Sequence, residues 1–268
     1  YFHFLQECGF QGKLVGGVPS LLNTMLQRGE IDVSPSSSFE YARHWKDYLL
    51  LPGHSISSIG KVESVLLFSA CCLCGLVWKK IAVTGDSATS INLLRVILRE
   101  FVKLVNICDE VPEVPVEQMI AQHQPALLIG DRAMQMAAKC PEGMQVYDLG
   151  ELWYQYTGLP FVFALWMVRR EIISENEEQI ALLSNQLVQS RQQLMTNPVP
   201  VAEVLSKEKG LSARQLVDYW HCINYVLDSE HQRGLELFFD LCFKHRLLPE
   251  RPSIEFFSPE SALQQICS

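Results

Sequence analysis

Short apolar runs alternate with amphipathic segments through the first half of the chain. The runs at residues 31–33, 81–83 and 126–129 each lead into a polar turn and then a segment of helical periodicity. Residues 62–69 predict a long central strand, and the apolar run at 161–168 predicts another. This alternation is typical of strands connected by crossover helices. It therefore predicts an α/β protein with a mostly parallel sheet.

The pattern changes to helix from residue 174 onward. Ser174 with Glu177, and Ser212 with Gln215, have the spacing of capping boxes, in which each side chain bonds the other residue's backbone N–H. The periodicity predicts four helices, near residues 175–195, 198–208, 212–227 and 229–245.

The longest uncharged apolar stretch covers fifteen residues, 64–78, and ends at two lysines. A helix that spans a bilayer needs about 20 apolar residues. The stretch therefore predicts a buried strand with its following turn, and no membrane contact.

Charge and composition exclude several partners. The chain has 22 Lys and Arg against 30 Asp and Glu, which gives a net charge of −8, and 48% of its residues are hydrophobic. A general disordered state is excluded by that apolar content. An acidic chain lacks the basic surface that nucleic acids or anionic membranes require, so neither is expected as a partner.

The nine cysteines argue against a secreted disulfide framework, because the number is odd and three of them crowd into the tract Cys71, Cys72 and Cys74. Cys71 and Cys74 have CxxC spacing, but no second ligand pair follows. We therefore expect buried or loop thiols in a reducing cytoplasm, and no metal site.

Candidate ligand contacts lie where predicted strands lead into helices. In open α/β sheets, ligands bind at such turns, and hydroxyl groups there suit carboxylates or phosphates. The same residue types also cap ordinary helices, and both interpretations stay open. The P-loop ending and the common hydrolase and metalloprotease motifs are missing, so no cofactor is expected. The candidate residues are Ser36, Ser37, Ser38, Ser87, Thr89, Ser90 and Asp131.

Several segments together resemble the chorismate dehydratases of the futalosine route to menaquinone. The resemblance runs from about Val18 to Arg170 and is most specific at TGLPFVFALW and at the IGD turn. The other segments that carry it are GEIDVSPSSSFEYA, LLLPGHSISSIGKVESVLLFS, TGDSATSINLL and YDLGELWYQY.

The resemblance implies a two-lobed fold of the type 2 periplasmic binding proteins, with a hinge and a helical C-terminal portion. It places the first lobe at residues 1–67 plus 164–268 and the second at 68–163. The C-terminal helices would then rejoin the first lobe.

Membership of that family implies a cytoplasmic hydro-lyase that removes water from chorismate, a small dicarboxylate, to give 3-(1-carboxyvinyloxy)benzoate. The family's active-site serine falls on GKVES here, which makes Ser64 the candidate catalytic residue. The substrate's own carboxylate could act as the base, since no catalytic histidine stands out. The sequence leaves the oligomeric state open.

One departure and three alternatives remain. The family opens with a strand that ends in Asn-Cys-x-Pro, whereas this chain opens with Tyr1-Phe2-His3-Phe4, and we expect a start further upstream rather than a natural loss. The first alternative is the related enzyme that makes 1,4-dihydroxy-6-naphthoate. The second is a non-catalytic module that binds or senses a small anion, and the third is an inactive paralogue.

Overall fold

The computed structural model describes residues 2–259 of the 268-residue chain. Eight strands and ten α-helices lie within these residues. The strands are β1 (Val33–Ser37), β2 (Tyr48–Ser58), β3 (Val65–Ser69), β4 (Lys80–Val83), β5 (Cys108–Glu110), β6 (Ala126–Ile129), β7 (Gln145–Asp148) and β8 (Phe161–Arg169). The helices are α1 (Pro19–Gln27), α2 (Ser38–His44), α3 (Ala88–Val96), α4 (Val116–Ala121), α5 (Gly130–Ala137), α6 (Leu149–Thr157), α7 (Ile173–Thr196), α8 (Val199–Lys209), α9 (Ala213–Cys222) and α10 (Ser229–Lys244).

The smaller sheet has three antiparallel strands in the order β1-β8-β2. Its central strand β8 is rich in aromatic and branched residues, which favour strands because they pack well on a pleated surface. Successive β8 side chains alternate between two clusters: Leu165 and Met167 join the main core, while Trp166 and Val168 join a smaller one. The predicted strand at 161–168 is thus confirmed.

The larger sheet has the order β5-β4-β6-β3-β7. Strand β4 pairs parallel to β5 and β6, whereas β3 pairs antiparallel to β6 and β7, so four strands share one direction and β3 opposes them. The expectation of a mostly parallel sheet therefore holds for the β5-β4-β6 part of the larger sheet, which is mixed as a whole, and is wrong for the smaller sheet. Strand β3 runs opposite to β4, because only a 3₁₀ turn at Leu73–Leu76 lies between them and a parallel connection needs a longer crossover.

The sequence predicts how three elements begin, and the structure agrees with only one of these predictions. The strand expected at residues 31–33 begins at Val33 and continues through Ser37, because its backbone pairs with β8 up to that point. The Ser212–Gln215 capping box is present. The box expected at Ser174 is wrong: a 3₁₀ turn runs directly into α7, which leaves no extended residue to act as its cap.

The apolar stretch 64–78 forms β3 and a following 3₁₀ turn at Leu73–Leu76, as predicted. None of the helices within residues 2–259 combines the length and the apolar character needed to cross a bilayer.

Side chains from both sheets share the main core. Leu67 and Leu127 of the larger sheet belong to the same buried cluster as Leu165 and Met167 of the smaller one, together with Phe238 of α10. Strand β3 lies wholly in the larger sheet and β8 wholly in the smaller. The lobe boundaries at 67/68 and 163/164 stay a prediction, and these strands favour dividing points just before Val65 and just before Phe161.

Candidate functional site

Three of the predicted groups lie at one edge of the larger sheet. Strands β4 and β6 end there, followed by the Ser87 turn and by Asp131, and β3 begins there, just after Ser64. Because β4 is parallel to β6 and β3 is antiparallel to it, these ends share one edge. The Gly130 N–H donates to the Ser64 carbonyl at 2.7 Å, which joins two of the groups directly.

Ser64 is a buried side chain, 5% exposed. Its Oγ lies 3.1 Å from the hydroxyl oxygen of Tyr219, a residue of α9, and either group can donate this hydrogen bond. Burial raises the pKa of the Tyr219 phenol, so the phenol stays protonated near neutral pH. The candidate catalytic serine therefore has a neutral hydroxyl as its neighbour.

The loop that carries Ser64 is fastened by the buried carboxylate of Asp148. This carboxylate accepts hydrogen bonds from the backbone N–H groups of Val62 at 3.0 Å and Glu63 at 2.7 Å, and it caps α6 by accepting from Gly150 and Glu151. Burial raises the pKa of Asp148, and the four N–H donors oppose that rise. One side chain thus connects the Ser64 loop to the first turn of α6.

The three consecutive serines have separate environments. Ser37 caps α2, since its Oγ accepts from the Glu40 N–H at 3.3 Å. Ser38 is the first residue of α2, and its Oγ donates to the Val162 carbonyl at 2.8 Å. Ser36 lies in β1 with its Oγ fully buried, and this atom has no hydrogen-bond partner within residues 2–259.

The second hydroxyl-rich turn contacts the first through Thr89. Its Oγ1 accepts from the Phe39 N–H at 2.9 Å and lies 3.4 Å from the Ser38 Oγ. Ser87 caps α3 by accepting from the Ser90 N–H at 3.2 Å, and its Oγ lies 3.0 Å from the Ser90 Oγ. Helix capping therefore explains the positions of Ser37 and Ser87. Thr89 brings the two hydroxyl-rich turns into contact.

Asp131 does not cap α5. That helix is preceded by Ile129, which makes no side-chain cap. Instead the Asp131 carboxylate forms a 2.9 Å ion pair with Lys209 at the end of α8. The pair places a positive charge beside this edge of the larger sheet.

The sequence interpretation missed Tyr219, Lys209 and Asp148. The first two come from the helical tail, where no local pattern distinguishes a site residue from an ordinary surface residue. Asp148 did have a signal, because Asp148 and Glu151 have the spacing of a helix cap followed by an acidic third position.

The cysteine tract at residues 71–74 is not part of this edge. No group of three or more His, Cys, Asp or Glu side chains in residues 2–259 could hold a metal ion, and the eight cysteines described are free thiols. Hydrogen bonding from Cys74 lowers the pKa of the exposed Cys72. That tract follows β3 and so lies at the opposite end of the strand from Ser64.

Two cavities lie away from this edge. One, of about 420 Å³, is lined by residues that include His44, Tyr48 and Arg169. The other, of about 800 Å³, lies between the N-terminal segment and helices α7 and α8. None of the predicted site residues lines either cavity.

The fold defines the class: two β-sheets with flanking helices, between which the chain passes after β2 and again before β8, make this a periplasmic-binding-protein-like chain. A protein of known structure from Archaeoglobus fulgidus superposes with a TM-score of 0.72 at 18% identity, over 92% of this chain and 93% of its own. The periplasmic aliphatic sulphonate binding protein SsuA from Escherichia coli superposes with a TM-score of 0.65 at 16% identity, over 90% and 80%. The predicted fold class is confirmed.

Sequence comparison then identifies the family. Residues 1–244 match the menaquinone biosynthesis family. A chorismate dehydratase from Thermus thermophilus is 34% identical over 250 residues, which are 88% of this chain and 88% of that protein. The chain belongs to the menaquinone biosynthesis family, and the predicted resemblance is confirmed.

Proposed function

We propose that this chain is a chorismate dehydratase, a hydro-lyase that converts chorismate to 3-(1-carboxyvinyloxy)benzoate and water. The observation that carries the proposal is the 34% identity to a chorismate dehydratase over 88% of both chains. The same observation favours this activity over the synthesis of 1,4-dihydroxy-6-naphthoate. A biosynthetic enzyme of this kind acts in the cytoplasm.

The reaction is an elimination that leaves an aromatic ring. One ring C–H bond breaks, its electron pair becomes a ring double bond, and the ring hydroxyl leaves as water. A carboxylate of the substrate takes the proton and passes it to the departing hydroxyl, which thereby leaves as water, so the protein needs no dedicated base. Ser64 donates a hydrogen bond to the leaving hydroxyl and so stabilises the negative charge that develops on this oxygen.

The two hydroxyl-rich turns hold the carboxylates of the substrate. Ser36 offers a buried hydroxyl without a protein partner among the described residues, and an unpaired buried polar group costs free energy until a ligand binds it. Ser87 and Ser90 offer hydroxyls from the facing turn, while Ser38 and Thr89 hold the two turns together.

Asp131 contributes through its ion pair. A free carboxylate beside a dianion would repel it, and the Lys209 ammonium 2.9 Å away offsets that repulsion. The pair can therefore lie near the substrate and orient its ring hydroxyl without opposing its charge.

The proposal is tested by incubating the purified protein with chorismate and separating the products by chromatography. We expect a product one water lighter than chorismate from the wild type and from the control Ser206→Ala, which alters a serine on α8. Ser64→Ala should lose most of the activity, and full activity in this variant would contradict the role of Ser64.

The alternatives give different results in the same experiment. Chorismate that binds without turnover would support a non-catalytic anion-binding protein. Formation of 1,4-dihydroxy-6-naphthoate from a futalosine-derived precursor, with chorismate unchanged, would support the related synthase.

A further inference from the structure

We propose that Tyr219 is a positioning residue that orients the Ser64 hydroxyl, so that the helical tail completes the site. This inference rests on the proposed function. It starts from the 3.1 Å contact between the Tyr219 hydroxyl and the Ser64 Oγ, which joins residues 155 positions apart in the chain.

The contact limits what the serine hydroxyl can do. A serine has one proton to donate and two lone pairs that accept. When Tyr219 donates to the Ser64 Oγ, the serine proton is free to point toward a ligand instead of back toward the tyrosine. Without Tyr219, the serine hydroxyl rotates freely, and its proton samples directions that do not meet the leaving group.

Tyr219 can donate because its phenol stays protonated. Burial raises the pKa of this phenol above its ordinary value, and the negative charges of Asp131 and Glu63 act in the same direction. The bond to Ser64 opposes the rise, since it stabilises the phenolate. At neutral pH, Tyr219 is therefore a neutral donor.

Independent contacts hold helices α8 and α9 against the sheet edge. Lys209 pairs with Asp131, and its carbonyl accepts a hydrogen bond from Gln135 at 2.8 Å. The Cys222 thiol donates to the Lys61 carbonyl at 3.1 Å, three residues before Ser64.

Apolar packing adds to these polar contacts. Leu211 and Leu216 of the tail form a buried cluster against which Met134 of α5 packs. These contacts leave Tyr219 little freedom to move relative to Ser64, as a positioning residue requires.

A double-mutant cycle tests the proposal. Tyr219→Phe keeps the ring and removes the hydroxyl, and we expect kcat for chorismate to fall about tenfold with KM little changed. In the Ser64→Ala background, the same substitution should change kcat less than about twofold, because the group it acts on is gone. Tyr154→Phe, at a 41%-exposed tyrosine of α6, is the control and should retain wild-type kcat.

A tenfold loss in both backgrounds would mean that Tyr219 acts independently of Ser64, and it would overturn the proposal. Full activity of Tyr219→Phe in the wild-type background would overturn it as well. Thermal unfolding of each variant checks that every protein measured is folded.

A second readout does not depend on activity. In a Ser64→Cys variant, the pH dependence of alkylation by iodoacetamide, followed by mass spectrometry at the peptide that carries the substitution, gives the pKa of the new thiol. Donation from Tyr219 stabilises the thiolate, so adding Tyr219→Phe should raise this pKa by about one unit. An unchanged pKa overturns the inference, whereas a wild type that leaves chorismate unchanged overturns the proposed function.

Discussion

Ser38 and Thr89 lie 51 residues apart in the chain, and their hydroxyl oxygens are 3.4 Å apart. Thr89 also accepts the Phe39 N–H, so the first turn of α2 is joined to the first turn of α3. Because α2 follows a strand of the smaller sheet and α3 follows a strand of the larger, this contact connects the two sheets beside the candidate site.

Thr89→Val should destabilise the protein, because it leaves the buried Phe39 N–H without its acceptor. We expect the free energy of unfolding to fall by about 1–3 kcal/mol, measured by urea denaturation. Thr196→Val removes a hydroxyl that donates to the Gln192 carbonyl on an exposed face, and this control should change stability by about 0.5 kcal/mol or less. Equal effects of the two substitutions would contradict a stabilising role of the Phe39–Thr89 hydrogen bond.

Strand ends are the part of the candidate site that the sequence could predict. Ser87 and Asp131 follow strands, and the rule that ligands bind where strands lead into helices makes them candidates. Ser64 precedes its strand, and only the family resemblance makes it a candidate. The apolar runs predict the ends of β4, β6 and β8 to within one residue. A short, continuous apolar run between polar turns marks both ends of a buried strand.

Contacts between distant segments could not be predicted in this way. The sequence predicts a turn at Ser37, yet pairing with β8 extends the strand through this residue. Tyr219 meets Ser64 because the cluster of Leu211 and Leu216 holds the helical tail against Met134 of α5, and nothing near residue 219 indicates this. Sequence periodicity shows which face of a helix is buried, but it does not show which partner covers that face.

Asp148→Asn should impair both stability and activity. Its carboxylate accepts from four backbone N–H groups, and an asparagine would place an NH₂ donor against some of them. We expect a loss of about 2–3 kcal/mol in urea unfolding. Folded protein should also show lower kcat, since the loop that carries Ser64 shifts.

The control is Asp228→Asn at the exposed cap of α10, which should cost less than about 1 kcal/mol, because Asn and Asp are equally good caps, and should leave kcat unchanged. If Asp148→Asn retains full kcat once corrected for the folded fraction, its role is to cap α6 and not to hold the Ser64 loop.

Gly234→Ala should be strongly destabilising. An added Cβ would lie 2.1 Å from the Pro160 carbonyl oxygen, and this oxygen already accepts a hydrogen bond from the Trp153 indole. The backbone of α10 and the start of β8 would have to separate, at a cost of about 3 kcal/mol. Gly16→Ala is the control, because a Cβ added at Gly16 has no atom within 4 Å, and it should leave the melting temperature unchanged. Similar melting temperatures for the two variants would contradict the close packing of Gly234 against Pro160.

Glu100 should make stability depend on pH in the acid range. Its carboxylate accepts from Lys244 at 2.8 Å and from His245 at 2.9 Å, and these bonds, that of Lys244 foremost, hold its pKa below the ordinary value. A depressed folded-state pKa stabilises the protein above the unfolded-state pKa, and this contribution is lost as the pH falls through the folded-state value. We therefore expect Glu100→Gln to cost about 1 kcal/mol at pH 7 and progressively less below about pH 4.5.

Urea unfolding across this pH range measures the difference, with Glu110→Gln at an exposed ion pair to Lys80 as the control. A difference between wild type and Glu100→Gln that stays constant down to about pH 3 would show that the charge of Glu100 contributes nothing, and that its packing against α10 accounts for the whole effect.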